Sequence, residues 1–289
     1  MKSTYFIASI AAISLGGYLL ARQEAPVAPA ASTPPAQPGT LEQARWFSSL
    51  PGPAPGFAGA GGRSAERKPA VGRNGRAIDL GGLSAAQYIG TRIGAARAGD
   101  VKAAYEVYQA ESMCAANDDP IADFGDPLQR AQFLREREAS VKLCAGLTPA
   151  QVQERLGFLG AAARAGKLDA QIDFYMEGPY GRAFDMQQNL DDPTVKQWKQ
   201  DALGYLKNAG RNCDHFALAL LSTVYDAGQL TERDLSMSMA YSIAAAVPRK
   251  KPLTEQQLRD RFGEELSAPE FDGARQLGAQ LGTTACPPP

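Results

Sequence analysis

The chain has 289 residues, with 30 Lys and Arg against 31 Asp and Glu, a net charge of −1. That balance gives no overall field for nucleic acid or an anionic membrane surface. One histidine, His215, and four scattered cysteines without a Cys-x-x-Cys pair exclude multi-histidine metal sites, two-imidazole catalysis and the usual zinc spacings. No metal and no cofactor is expected.

Residues 1–22 contain an apolar run, Tyr5 to Ala21, behind Lys2. It reads as a secretory signal peptide or a short N-terminal membrane anchor with the body outside the cytoplasm, in the periplasm or cell envelope. The membrane is therefore expected to be reached only through this segment. Ala28-Pro29-Ala30 offers small residues for cleavage, with a proline between them. Residues 23–80 are rich in Pro, Ala and Gly and are expected to form a disordered linker, since such a composition buries too little apolar area to offset ordering entropy. Inside it Thr40-Leu41-Glu42-Gln43, followed by Trp46, Phe47 and Leu50, marks a short helix or a transient one.

Residues 81–286 carry a helical period throughout and no alternating strand pattern. Four helix starts share one form: Leu83-Ser84-Ala85-Ala86-Gln87-Tyr88, Leu147-Thr148-Pro149-Ala150-Gln151-Val152, Leu230-Thr231-Glu232-Arg233-Asp234-Leu235 and Leu253-Thr254-Glu255-Gln256-Gln257-Leu258. In each, the hydroxyl caps a free backbone N–H and the third helical residue reaches back. Helices are expected over Ser84–Ala98, Asp100–Cys114, Thr148–Ala165, Leu168–Met176, Asp192–Gly210, Asn212–Ala227, Thr231–Val247, Thr254–Leu266 and Pro269–Leu281. Glycines after Ala98, Ala165 and Ala209 supply stops. The fold class is all-α, an irregular α/α helical-repeat array behind the apolar segment and linker.

From Ala217 to Ala246 the chain resembles the Sel-like subfamily of tetratricopeptide-type repeats. Ala217, Leu221, Tyr225, Gly228, Leu230, Asp234, Tyr241, Ala244 and Ala245 fall on that family's repeat positions, while Ser222 and Ser238 stand where it has Gly and Ala. Ala95-Ala96-Arg97-Ala98-Gly99 and Ala162-Ala163-Arg164-Ala165-Gly166 repeat the junction at unequal spacing. The resemblance implies stacked hairpins with a surface for an unidentified protein or peptide partner.

Cys114 and Cys144 flank an insertion and are candidates for a disulfide closing a loop of about 30 residues, worth about 3–4 kcal/mol in the chain-entropy model. Cys213 and Cys286 would form the second pair, although four cysteines allow three connectivities. Cys213 and His215, two apart on one helix, face different ways and do not make a catalytic pair. Asp126-Pro127 and Asp191-Asp192-Pro193 read as helix caps rather than calcium loops, and so does Asn117-Asp118-Asp119-Pro120. Arg249-Lys250-Lys251 reads as a solvated loop. No catalytic residue is expected. The functional expectation is a non-catalytic envelope adaptor or scaffold. The alternatives are a peptidoglycan-directed hydrolase drawing on Glu154, Glu177 or Asp185, and a purely structural envelope protein.

Overall fold

The computed structural model describes residues 70–72, 74–119, 121, 124–181 and 191–287, all in the second of the chain's two units, Gly56–Pro289. The apolar run Tyr5–Ala21, the helix expected near Thr40–Leu50 and Asp185 lie outside the described residues. Among the described residues no helix is long and apolar enough to cross a membrane.

Among the described residues the fold is all-α apart from one small hairpin. Its strands are β1 (Ala70–Val71) and β2 (Ala77–Ile78), paired antiparallel with Ala70 opposite Ile78. Eleven α-helices follow among the described residues: α1 (Ala85–Gly90), α2 (Ile93–Arg97), α3 (Val101–Ala115), α4 (Pro127–Leu143), α5 (Pro149–Arg164), α6 (Leu168–Glu177), α7 (Pro193–Arg211), α8 (His215–Ala227), α9 (Leu235–Ala246), α10 (Glu255–Phe262) and α11 (Ala268–Ala285).

The hairpin corrects the expected linker boundary. Gly75 takes a positive φ of 77° in the turn, and Ile78 and Leu80 are buried against Tyr88, Val107 and Met113. The folded body thus begins by Ala70, because an Asn-Gly turn folds the chain back and two aliphatic residues anchor its exit.

Of the four hydroxyl starts, Ser84, Thr148 and Thr254 cap α1, α5 and α10, each with a Gln reaching back in a complete capping box. Thr231 does not cap. Asp234 accepts from the Met237 N–H at 2.9 Å and starts α9, while its own N–H donates to the Tyr225 carbonyl at 2.9 Å. A carboxylate is a stronger acceptor than a hydroxyl, and the tie to Tyr225 keeps the chain extended up to that point. The helix expected over Ser84–Ala98 is broken at Thr91 and Arg92. The Thr91 hydroxyl donates to the Tyr88 carbonyl at 2.8 Å and competes with the helical ladder, just after the weak helix former Gly90. The insertion holds a full helix, α4, started by Asp126 with Pro127 behind it. Asp192-Pro193 starts α7 in the same way, whereas residues 116–118 form a 3₁₀ turn rather than a cap.

Packing runs in chain order. α3 lies on α5, α5 on α6, α6 on α7, α7 on α8, α8 on α9 and α9 on α11. The apolar core is correspondingly divided into groups along the array, from Ile89 and Val107, through Tyr108 and Leu159, through Leu206, Leu221 and Tyr241, to Met239, Phe262 and Phe271. Small residues set the closest approaches. A Cβ at Gly278 of α11 would lie 2.8 Å from the Ala240 carbonyl oxygen of α9. Helix α4 contributes no buried residue and Leu128 and Val141 on it are exposed, so it is tied to the body by the bond from Cys144 to Cys114 and by Arg137, which donates to the Asn117 carbonyl.

Candidate functional site

The most concentrated polar chemistry among the described residues lies where α3, α5 and α6 meet under the hairpin. Asp169, Asp173 and Glu177 are spaced by four on α6 and so share one face. That face is pressed against α3 and α5: Asp173 is 0 % and Glu177 3 % exposed. The Tyr105 hydroxyl donates to Asp173 Oδ2 at 2.7 Å, and Arg76 Nε of the hairpin donates to Oδ1 at 2.9 Å. Arg76 Nη1 meets Asp169 at 2.9 Å. Glu177 Oε1 accepts from the Ser112 hydroxyl at 2.6 Å and the Tyr108 hydroxyl at 3.2 Å, and Oε2 faces Arg155 Nη2 at 3.4 Å. Arg155, 3 % exposed, also donates to the carbonyls of Val152 and Gly181. Asn74 Nδ2 donates to the Tyr108 oxygen at 3.3 Å, and Lys167 stands 4.7 Å over the Tyr105 ring while pairing with Asp169.

Three carboxylates therefore meet three cations, Arg76, Lys167 and Arg155. Burial pushes the Asp173 carboxyl up to about 6, against the opposing pull of Arg76 and the Tyr105 hydroxyl. Burial also lifts both phenols, with Asp173 adding to each, so Tyr105 and Tyr108 act as hydrogen-bond donors. Arg76 loses by desolvation but is held above its ordinary value by Asp173 and Tyr105.

Glu111 stands apart from these pairs. It is 1 % exposed, and its Oε2 has no hydrogen-bond partner. Burial, with Glu154 second, raises its carboxyl from 4.5 to about 8 against the pull of Arg155 and Arg97. The folded protein thus holds a proton that the unfolded chain releases near its ordinary value. Between those two values the folded state binds more protons, so this group makes stability fall as pH rises from about 4.5 to about 8. Glu111→Gln, which mimics the protonated acid, should raise stability by about 2–3 kcal/mol at pH 7. It should leave stability unchanged at pH 4. Urea unfolding across pH checks this, and parallel pH–stability curves for the two proteins would refute it.

The expected site residues take the following places. Cys114 is bonded to Cys144 and Cys213 to Cys286, with Cα separations of 5.6 and 4.9 Å. Cys213 is thus no free thiol, and His215 lies exposed at the start of α8. Ala217, Leu221 and Tyr225 pack α8 on α9 opposite Tyr241, Ala244 and Ala245, all buried, with the Tyr225 and Tyr241 rings stacked at 5.6 Å. Gly228 ends α8 in a left-handed conformation that admits the turn. Ser222 and Ser238 face each other, their hydroxyl oxygens 3.3 Å apart. Glu154 is exposed and paired with Arg97, so it does not join Glu177. Arg249, Lys250 and Lys251 lie on an exposed turn. Among the described residues no group of three or more metal-ligating side chains converges.

Sequence reasoning missed Arg76, Asp173, Tyr105, Tyr108, Ser112 and Arg155 as a unit. The signal was the four-residue acidic spacing in an otherwise apolar α6, together with Asn74-Gly75 ahead of Arg76. A cavity of about 550 Å³ lies over the start of α9, where Arg233 is already forked onto Glu265 at 2.8 and 2.9 Å. Comparison with known protein families finds no family model that matches this chain, and no curated protein matches it either.

Proposed function

We propose that the protein is a non-catalytic adaptor of an extracytoplasmic compartment, a Sel-like or tetratricopeptide-type array that presents its surface to a protein or peptide. The observation that carries this reading is the serial packing α3–α5–α6–α7–α8–α9–α11, in which each member lies on the next one along the chain while α4 and α10 stand outside the stack. Arrays built that way leave an extended surface free for recognition. The bonding of all four cysteines fits an oxidising compartment outside the cytoplasm. A glycan hydrolase pairs two carboxylates across an open cleft, whereas Glu177 is buried on Ser112 and Tyr108 and Glu154 stands apart from it on the surface with Arg97.

The test is a photocrosslinker placed singly at exposed Gln153, Gln197 and Gln276 and at neighbouring surface positions of the full chain in its native envelope. An adaptor should give one discrete adduct from positions forming a continuous face and none from the opposite face. Adducts scattered over every face, or release of soluble fragments from purified peptidoglycan by the pure protein, would overturn the reading.

A further inference from the structure

The hairpin is two residues long on each strand, too short to hold itself in water. At its exit Ile78 and Leu80 enter the core. At its turn the attachments are Asn74 and Arg76. The Arg76 guanidinium comes in from the surface with its side chain 31 % exposed, and the Asp173 carboxylate beneath it has no exposure at all. The receiving side of the contact does not depend on the hairpin. Asp169 and Asp173 project from α6, Tyr105 projects from α3, and the Tyr105 hydroxyl fixes the second Asp173 oxygen. Asp173 meets Nε and Asp169 meets Nη1, each at 2.9 Å, so two different edges of the flat guanidinium are held at once by directed donors that a single amine does not reproduce.

We infer that this α3–α6 site is a guanidinium-recognition site, that Arg76 fills it as a displaceable internal ligand, and that it takes in exchange an arginine side chain on a loop of a partner protein. The adaptor reading above is needed only for the source of that second arginine. The hairpin is the segment best suited to leave. It has few backbone bonds of its own, and its Arg76 is the partly exposed member of the pair. Its departure leaves the buried Asp173 carboxyl without the cation that opposes its desolvation, and a second guanidinium restores that charge pairing. Competition from Arg76 weakens the external ligand by the fraction of time the hairpin is open. Exchange also changes the tether. Residues 70–76, up to the anchor at Ile78, would pass from folded body to linker and add up to about 23 Å of reach.

Two experiments on the full chain test this. In the first, Arg76→Ala is melted with increasing millimolar methylguanidinium chloride, against methylammonium chloride as the charge-matched control. The variant should regain stability saturably with methylguanidinium alone, while wild type and the Arg76→Ala/Asp173→Asn double variant do not respond. Equal recovery in both salts, or in neither, overturns the site. The second keeps the wild-type fold. A peptide with the sequence of residues 70–78 is added in excess, and exchange of the Gly72 amide, bonded to the Arg76 carbonyl at 2.8 Å, is followed. Exchange should speed up roughly tenfold with this peptide and stay unchanged with its Arg76→Ala version. Unchanged exchange with both peptides overturns displacement. Failure of both experiments leaves the adaptor reading intact. A working site whose Asp173→Asn variant keeps its crosslinked partner shows that the adaptor uses another surface, and sinks the in-trans role.

Discussion

Arg155→Met should destabilise the protein by about 3–5 kcal/mol, because it takes a buried guanidinium away from a buried carboxylate and from two carbonyls at once. Arg155 is 3 % exposed and bridges α5 to the end of α6, contacting Glu177 and the carbonyls of Val152 and Gly181. After its removal Glu177 keeps the hydroxyls of Ser112 and Tyr108 but loses the Arg155 guanidinium at Oε2. The attraction within the pair is not itself the reason for the effect, since desolvating both ions largely cancels it. The double variant Arg155→Met/Glu177→Leu should therefore recover more than half of the loss. Recovery stays incomplete, because Ser112 and Tyr108 lose their acceptor. Urea unfolding followed by far-ultraviolet circular dichroism checks both variants. A single-variant loss below about 1 kcal/mol would show that water reaches the site and screens it.

The second large effect belongs to the bond between Cys213 and Cys286, which joins the α7–α8 turn to the end of α11 across 73 residues. In the chain-entropy model its removal costs about 4 kcal/mol, somewhat more than removal of the Cys114–Cys144 bond across 30 residues. The two losses should differ in kind. Cys213→Ser/Cys286→Ser weakens the whole α8–α11 end, because α11 covers α9 along its length and also touches α7. Its unfolding midpoint should fall in any cooperative probe. Cys114→Ser/Cys144→Ser loosens chiefly α4, which buries nothing, so protease cleavage within Pro127–Leu143 should rise while the cooperative midpoint moves less. Equal shifts in midpoint with no new cleavage in α4 would contradict this division.

The helical fold was legible because its signals are local. Capping residues, proline at first helical positions and glycine stops act within four residues, and the resulting boundaries at α5, α6, α7 and α10 lie within a residue or two of those expected at the N-terminal side. The same six-residue start occurs a fifth time at Leu266-Ser267-Ala268-Pro269-Glu270-Phe271, where the Glu270 carboxylate accepts from the Ser267 N–H at 2.9 Å. The break at Thr91 was not legible, because it turns on whether a hydroxyl or a backbone N–H wins the Tyr88 carbonyl. Nor was the polar cluster. Arg76 and Asp173 are separated by 97 residues, and no local rule pairs them. Tyr105 and Tyr108 share a buried face with Ala104 and Val107, where periodicity alone reads an aromatic ring as apolar filling. Their hydroxyls in fact bond the two buried carboxylates of α6. The order of helices follows from neighbours in sequence, whereas the chemistry follows from who meets whom in space.

The two disulfides also give the body a mechanical character. Tension applied between the N-terminal side of the hairpin and the chain end travels along covalent bonds, and it crosses each disulfide by the short route. Spans of 30 and 73 residues are thereby cut out of the load-bearing path. Helix α4 lies inside the first closed ring, and α8 to α11 lie inside the second. A pull that peels the hairpin and unravels α1 to α3 and α5 to α7 thus stops at Cys213, and the stretch Ala217–Ala246 is left slack.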